Sequence, residues 1–355
     1  MKKLTLPLII ATLFFQAACA TQTQPLENTP KMPTAQTTPS TPQPQVQNEP
    51  LPPCNDQLCF IQRSIHIATQ DEWANFFNQV EYKDNIIEII TRPATSRPWY
   101  RFAVDNASAK RINEGVAFYR QNQSVALQAE QNYGVPASVM TAILVIETHY
   151  GRNMGSFRVA DALNTLAFNY NKRLDFFQDE LRALMQMSKE LNRNPLDFTG
   201  SYAGAMGMPQ FMPSSYRQWA KDGDGDGFAD IWQSRADAYA SVGNYLKEHG
   251  WKTGGQVFVP LYPSFEQMPQ LDAFSAEKTG LNHTVGEFRQ IGLNIPPNIQ
   301  DDEKAMIYRL ETAPNEFSYY LGLNNFYVIW QYNNSRMYVH AVGLIANGIR
   351  QGVSY

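Results

Sequence analysis

From about residue 56 onward, apolar positions recur at three- and four-residue steps, the spacing of one helix face. The pattern predicts helices over 70–80, 107–133, 136–150, 172–191, 235–249 and 336–350. Pro136 suits a first helical turn, and Gly151 and Gly250 stand where two of these helices would stop. Near the C-terminus the pattern changes. Residues 305–312 (AMIYRLET) and 326–333 (FYVIWQYN) are β-branched and aromatic runs that read as strands. No internal repeat is present. The expected fold class is mainly α (α+β), with a small β element near the C-terminus.

The N-terminal stretch follows neither period. MKKLTLPLIIATLFFQAACA carries Lys2 and Lys3, a short apolar run and small residues, which make a secretory signal rather than a membrane-spanning helix. Ala17-Ala18-Cys19 resembles a bacterial lipobox with Gln16 at the usual aliphatic position, and Cys19 would then be lipidated. Ala18-Cys19-Ala20 also fits ordinary A-x-A cleavage, which would release a soluble protein. The Thr/Gln/Pro-rich stretch that follows has too little apolar content for a core and reads as a disordered tether. Its roughly 35 residues span at most about 110 Å. The organisation expected is a leader at 1–19, a tether at 20–55 and a folded region at 56–355.

Composition narrows the classes. A net charge of -4 gives no electrostatic reason for a nucleic-acid partner. With Cys19 claimed by processing, Cys54 and Cys59 remain as an even pair that an oxidising periplasm could join. No second Cys/His pair follows at zinc-ligand spacing.

Candidate chemistry begins in LVIETHYG, residues 144–151. Glu147 shares a helical face with Leu144, Ile143 and Met140. A carboxylate on an apolar face is costly unless paired, neutralised or used. Arg152 or His149 could pair with it. Otherwise desolvation raises its pKa, which suits a general acid at neutral pH and would serve glycosidic cleavage. Ordinary glycosidases need a second carboxylate, and none stands out; Asp161 and Asp175 fall on predicted helices with solvated or capping explanations. The Gly- and Pro-dense segment GSYAGAMGMPQFMPSSY, residues 200–216, has no clear period, yet Met206, Met208, Phe211 and Met212 argue against a solvent loop. It reads as the wall of a site.

A second constellation is DGDGDGFADIWQSRAD, residues 222–237. Asp222, Asp224 and Asp226 alternate, Gly227 follows at the sharp-turn position of an EF-hand loop, and the Phe228 carbonyl falls at the backbone-ligand position. Position twelve is Gln233 rather than glutamate, and Asp237 could close the site instead. Three alternating aspartates without a nearby Lys or Arg repel one another unless a cation is present, so a structural Ca²⁺ is expected.

VIETHYGRNMGSFRVADALNTLAFNYNKR, GSYAGAMGMPQFMPSSY, the aspartate loop and NYLKEHGW occur in an order that resembles the lytic murein transglycosylase B family (glycoside hydrolase family 103) from about residue 60 onward. The resemblance implies a lysozyme-like helical catalytic core at about 130–260, flanking subdomains and an EF-hand-like site for Ca²⁺ or Na⁺. It implies cleavage of the β-1,4 bond between N-acetylmuramic acid and N-acetylglucosamine in peptidoglycan, leaving a 1,6-anhydro end. It implies no cofactor for catalysis. Glu147 matches the single catalytic acid. Ser201 and Gln210 match polar groups lining the cleft, and Tyr245, Tyr332, Asn333 and Tyr338 a polar and aromatic wall at the cleavage point. Lys172 and Arg173 match a basic pair near the muramoyl or peptide side. Phe102 stands where a tyrosine is expected. The implied partners are glycan strands and, through a lipid on Cys19, a membrane; a periplasmic location anchored to the outer membrane is expected.

Two other readings of the same residues are a hydrolytic muramidase and a non-catalytic peptidoglycan-binding lipoprotein. The first needs a second positioned carboxylate. The second could lose Glu147 without consequence, yet Glu147 stands intact in its motif.

Overall fold

A computed structural model describes residues 52–92 and 97–354. The leader, Cys19 and nearly all of the tether lie outside these residues.

Three short helices form an N-terminal clasp: α1 (Gln57–Ser64), α2 (Gln70–Phe77) and α3 (Asp84–Thr91). Thr69 and Glu72 make a reciprocal capping box at the start of α2. Cys54 and Cys59 are disulfide-bonded, with Cα atoms 5.5 Å apart. Phe60 and Trp73 meet edge to face at 5.1 Å in the clasp's core.

The next group is α4 (Trp99–Asn106), α5 (Ala109–Gln121), α6 (Gln123–Tyr133) and α7 (Ala137–Thr148). The single helix expected over 107–133 is therefore two. Asn122, with φ −118° and ψ 19°, ends α5, and its side chain donates to the Phe118 carbonyl at 2.8 Å. That local bond gives the backbone an alternative to continuing the helix. Within α7 every residue except Ser138 and Glu147 is buried. Such a helix is a core strut rather than an amphipathic face, and each buried Leu or Ile contributes about 1.5–3 kcal/mol. The one buried hydroxyl facing another helix, Thr141, is 2.8 Å from the Tyr239 hydroxyl.

A two-stranded ribbon then pairs β1 (Phe157–Arg158) with β2 (Thr199–Gly200) around α8 (Val159–Asn169) and α9 (Leu174–Glu190). Gln178 on α9 both accepts from the Cys54 amide at 2.9 Å and donates to the Cys54 carbonyl at 2.6 Å, tying the clasp down. After α10 (Pro213–Trp219), helix α11 (Arg235–Glu248) ends in a Schellman motif. There Gly250, at φ 89°, lets Trp251 donate to the Leu246 carbonyl at 3.0 Å.

The C-terminal part comprises β3 (Phe258–Leu261), α12 (Met268–Ala276), β4 (His283–Thr284), α13 (Val285–Gln290), β5 (Lys304–Ala313), β6 (Glu316–Gly322), α14 (Asn324–Tyr332) and α15 (Arg336–Val353). Its strands form an antiparallel sheet in the order β3-β6-β5-β4 over a small core that includes Leu271, Phe288, Ile307 and Leu321. The run 305–312 lies in β5. The run 326–333 does not form a strand: 326–332 belongs to α14 and Asn333 ends that helix. Its buried positions, Asn325, Phe326, Val328, Ile329 and Tyr332, fall at helical steps, so burial overrides the strand preference of the residue types. Helix α15 returns to pack on α5 and α7, which closes the fold over Glu147.

Candidate active site

The site is built around the last turn of α7. His149 (φ 50°), Tyr150 (φ 68°) and Gly151 (φ 78°) are three successive left-handed residues directly after it. Two of them carry side chains that disfavour this region, so the turn must be held from outside. The Tyr150 hydroxyl donates to the Arg111 carbonyl at 2.8 Å, and Arg111 in turn donates to the Val145 carbonyl at 3.2 Å. The His149 ring lies 3.3 Å from Glu114. Glu147 pairs with neither His149 nor Arg152. The Arg152 guanidinium lies over the Tyr150 ring instead, at 5.6 Å.

Among the described residues one hydrogen bond reaches the Glu147 side chain: the Tyr338 hydroxyl donates to Oε1 at 2.7 Å. Tyr338 sits in the first turn of α15, whose start Ser335 caps. Tyr332 and Tyr245 complete the wall, with ring centroids 4.8 Å apart. Desolvation within this wall outweighs the Tyr338 bond, which favours the anion, and leaves the Glu147 carboxyl pushed up to about 7. Burial and the neighbouring carboxylate hold the Tyr332 and Tyr338 phenols well above their usual range, so both remain donors.

The 200–216 segment packs as a wall rather than a solvent loop, with Ala205, Met206, Met208, Phe211 and Met212 buried. A Cβ on Gly200 would fall 2.2 Å from the Ala205 carbonyl oxygen, so only glycine fits there. The segment is tied to α7 where the Thr148 hydroxyl donates to the Met208 carbonyl at 3.2 Å. It is tied to α14 where the Tyr332 hydroxyl donates to the Pro209 carbonyl at 2.5 Å. Thr148 is absent from the residues that the sequence suggested. Its signal was adjacency to Glu147 at a helix end, where a hydroxyl can serve loose backbone groups.

The sequence-derived residues divide. Glu147, Tyr245, Tyr332 and Tyr338 come together. Asn333 is buried beside them, and its side-chain oxygen has no hydrogen-bond partner among the described residues. Ser201 and Gln210 turn to the loop's own backbone instead of Glu147. Ser201 accepts from the Ala205 amide at 3.1 Å, and Gln210, itself left-handed at φ 53°, donates to the Gly207 and Met154 carbonyls at 2.9 and 3.2 Å. Phe102 lies on α4 with its ring 5.9 Å from that of Trp99 and presents no hydroxyl. Lys172 is exposed between α8 and α9, while Arg173 stands just before α9 without a side-chain capping bond, its guanidinium 3.8 Å from the Phe176 ring.

In the aspartate loop, carboxylate oxygens of Asp222, Asp224 and Asp237 lie within 4.8 Å of one another. Asp237 is fully buried at the start of α11 and takes the Gly223 and Asp230 amides at 2.7 and 2.6 Å. Asp226 is not in this carboxylate group: it accepts from the Phe228 amide at 2.8 Å, and the Phe228 carbonyl accepts from the Asp230 amide at 3.0 Å. Three converging carboxylates, one of them buried, fit a hard cation with oxygen ligands.

The sequence matches the transglycosylase SLT domain over residues 62–347. It is 33% identical over 302 residues to membrane-bound lytic murein transglycosylase B of Escherichia coli (strain K12), which covers 82% of this chain and 81% of that protein. The crystal structure of soluble lytic transglycosylase SltB1 from Pseudomonas aeruginosa superposes with a TM-score of 0.77 at 38% identity, covering 84% of this chain and 98% of the other. The Escherichia coli lytic transglycosylase Slt35 in complex with calcium does so with a TM-score of 0.73 at 31% identity, covering 84% and 94%. With the matched domain spanning the tyrosine-walled glutamate and the aspartate loop, the chain belongs to the transglycosylase SLT domain family, among the lytic murein transglycosylases, and is an enzyme.

Proposed function

We propose that the chain cleaves the β-1,4 bond between N-acetylmuramic acid and N-acetylglucosamine in peptidoglycan, with Glu147 acting first as acid and then as base. The observation that carries this reading is the Glu147 carboxyl held at about 7 in its tyrosine wall, where it exists in both protonation states at neutral pH. The protonated carboxyl gives its hydrogen to the glycosidic oxygen as the C1–O bond breaks. The resulting carboxylate takes the proton of the muramoyl 6-hydroxyl, whose oxygen bonds to C1. No water is consumed, the product carries a 1,6-anhydro ring, and Glu147 ends protonated again. Charge at C1 is stabilised by the substrate's own N-acetyl group, one of the exceptions to the two-carboxylate rule. A single-carboxyl route is supported by Tyr332 and Tyr338: among the described residues, Glu147 is the carboxylate whose charge raises both phenols.

The cleft residues Tyr245, Asn333 and Tyr338 contact sugar in this reading, with the unpartnered Asn333 oxygen available to a sugar N–H or hydroxyl. Ser201 and Gln210 shape the wall, Phe102 supplies apolar area, and Lys172 and Arg173 face the peptide or muramoyl side. Asp222, Asp224 and Asp237 hold Ca²⁺, which ties the loop to α11 and takes no part in bond cleavage. Lipid on Cys19 holds the enzyme to the outer membrane through the tether, in keeping with the membrane-bound relative.

Mass analysis of peptidoglycan digests tests the reaction. Products one water lighter than reducing muropeptides, absent with Glu147→Gln, are expected. Reducing ends would instead mean hydrolysis, and binding without products would mean a glycan-holding protein.

A further inference from the structure

Glu180 lies on α9, outside the tyrosine wall, and is 4% exposed. Among the described residues it makes no ion pair; Asp179 and Arg173 are its charged neighbours. Both of its hydrogen bonds come from one residue. The Ser214 amide donates to Oε2 at 2.9 Å, and the Ser214 hydroxyl donates to Oε1 at 2.6 Å. Ser214 follows Pro213 in the first turn of α10, where backbone N–H groups lack helical partners. Glu180 thus caps α10 from a different helix.

The residues just before α10 are those that touch the catalytic helix and the tyrosine wall, through Met208 to Thr148 and through Pro209 to Tyr332. Segment 208–214 is therefore pinned at one end to α7 and α14 and at the other to α9. Between the pins stands Gln210 in a left-handed conformation that a free loop would relax. A buried carboxylate without a cation is an expensive anchor unless position matters.

We infer that Glu180 is a positioning residue for Glu147: through Ser214 it holds segment 208–214 closed on Tyr332 and keeps the catalytic carboxyl desolvated. This rests on the reading of Glu147 as the acid. Loosening the pin would admit water beside Glu147, stabilise its ionised form and shift loss of the catalytic proton to lower pH.

The test compares Glu180→Gln, Ser214→Ala and Ser214→Thr in the otherwise unaltered enzyme, with kcat and KM on peptidoglycan followed from pH 5 to pH 9 and corrected for folded fraction. The first two variants are expected to lose about tenfold or more in kcat with KM within about twofold of the parent, and to lose activity at lower pH on the alkaline side. Ser214→Thr, which keeps both donors, is expected to follow the parent profile. An unmoved alkaline limb in Ser214→Ala, with activity scaled equally at every pH, overturns the inference even if Glu180→Gln fails to fold. Glu147→Gln measured in parallel separates the two levels: activity there sinks the acid assignment itself, whatever the Glu180 variants do.

Discussion

Tyr338 donates its phenolic hydrogen to Glu147 Oε1 at 2.7 Å, so the carboxyl is oriented by α15 rather than by its own helix. The bond favours the ionised form, while burial favours the neutral one and dominates. Orientation and proton affinity are thus tuned by opposing contacts on the same group.

Tyr338→Phe removes the stabiliser of the anion and leaves the apolar wall. The Glu147 pKa is expected to rise further, moving the alkaline limb of kcat/KM to higher pH, with kcat reduced on the order of tenfold to a hundredfold from lost orientation. A pH–rate series checks both. A limb that moves down in pH would show that the phenol does not act on the anion.

Glu147→Gln bears on stability as well as rate. The folded carboxyl titrates near 7 and the unfolded one near 4.5, so the folded enzyme holds more protons between those values. Its stability contribution is intact below about pH 4.5 and is lost as pH rises through 7. The uncharged glutamine should therefore match the parent at pH 4 and exceed it at pH 8 by about 2 °C or more in Tm. Thermal melts at the two pH values read this directly, and equal melting temperatures at pH 8 would contradict it.

Calcium is expected to bind the folded protein through Asp222, Asp224 and Asp237 and to stabilise it by about 2.7 kcal/mol at a hundred times its dissociation constant. Chelator should reverse the shift, and Asp237→Asn should abolish it while sparing cleavage at low temperature. Calorimetry with and without the ion decides. A shift that survives in Asp237→Asn would place the cation elsewhere.

Replacing Cys54 and Cys59 by serine opens a short loop, with partners five positions apart, and should lower stability by about 2 kcal/mol on loop-closure grounds. The disulfide lies within the N-terminal clasp, where the Cys54 backbone bonds Gln178 on α9 rather than the tyrosine wall, so kcat should be unchanged. Denaturant melts and initial rates on the double variant measure the two effects separately.

Much of this protein is legible in one dimension because the signals are local. The helix carrying Glu147 announces itself by spacing, Gly250 by its place after a helix, and the aspartate loop by alternation within a few residues. Helical period, cap chemistry and turn geometry act over three to five positions, so short stretches specify them. The break at Asn122 lay at the edge of that reach, since one side-chain bond decides it.

What the sequence by itself determined is the mainly helical class, the candidate acid and the acidic loop. Only the tertiary structure decided that Tyr338, 191 positions away, meets Glu147, that 326–332 coils into α14, and that Asp237 is buried as it joins Asp222 and Asp224. Each of these depends on which surfaces lose water when distant segments pack. Burial also sets the proton affinity of Glu147, because desolvation is a property of the surrounding fold rather than of the residue type.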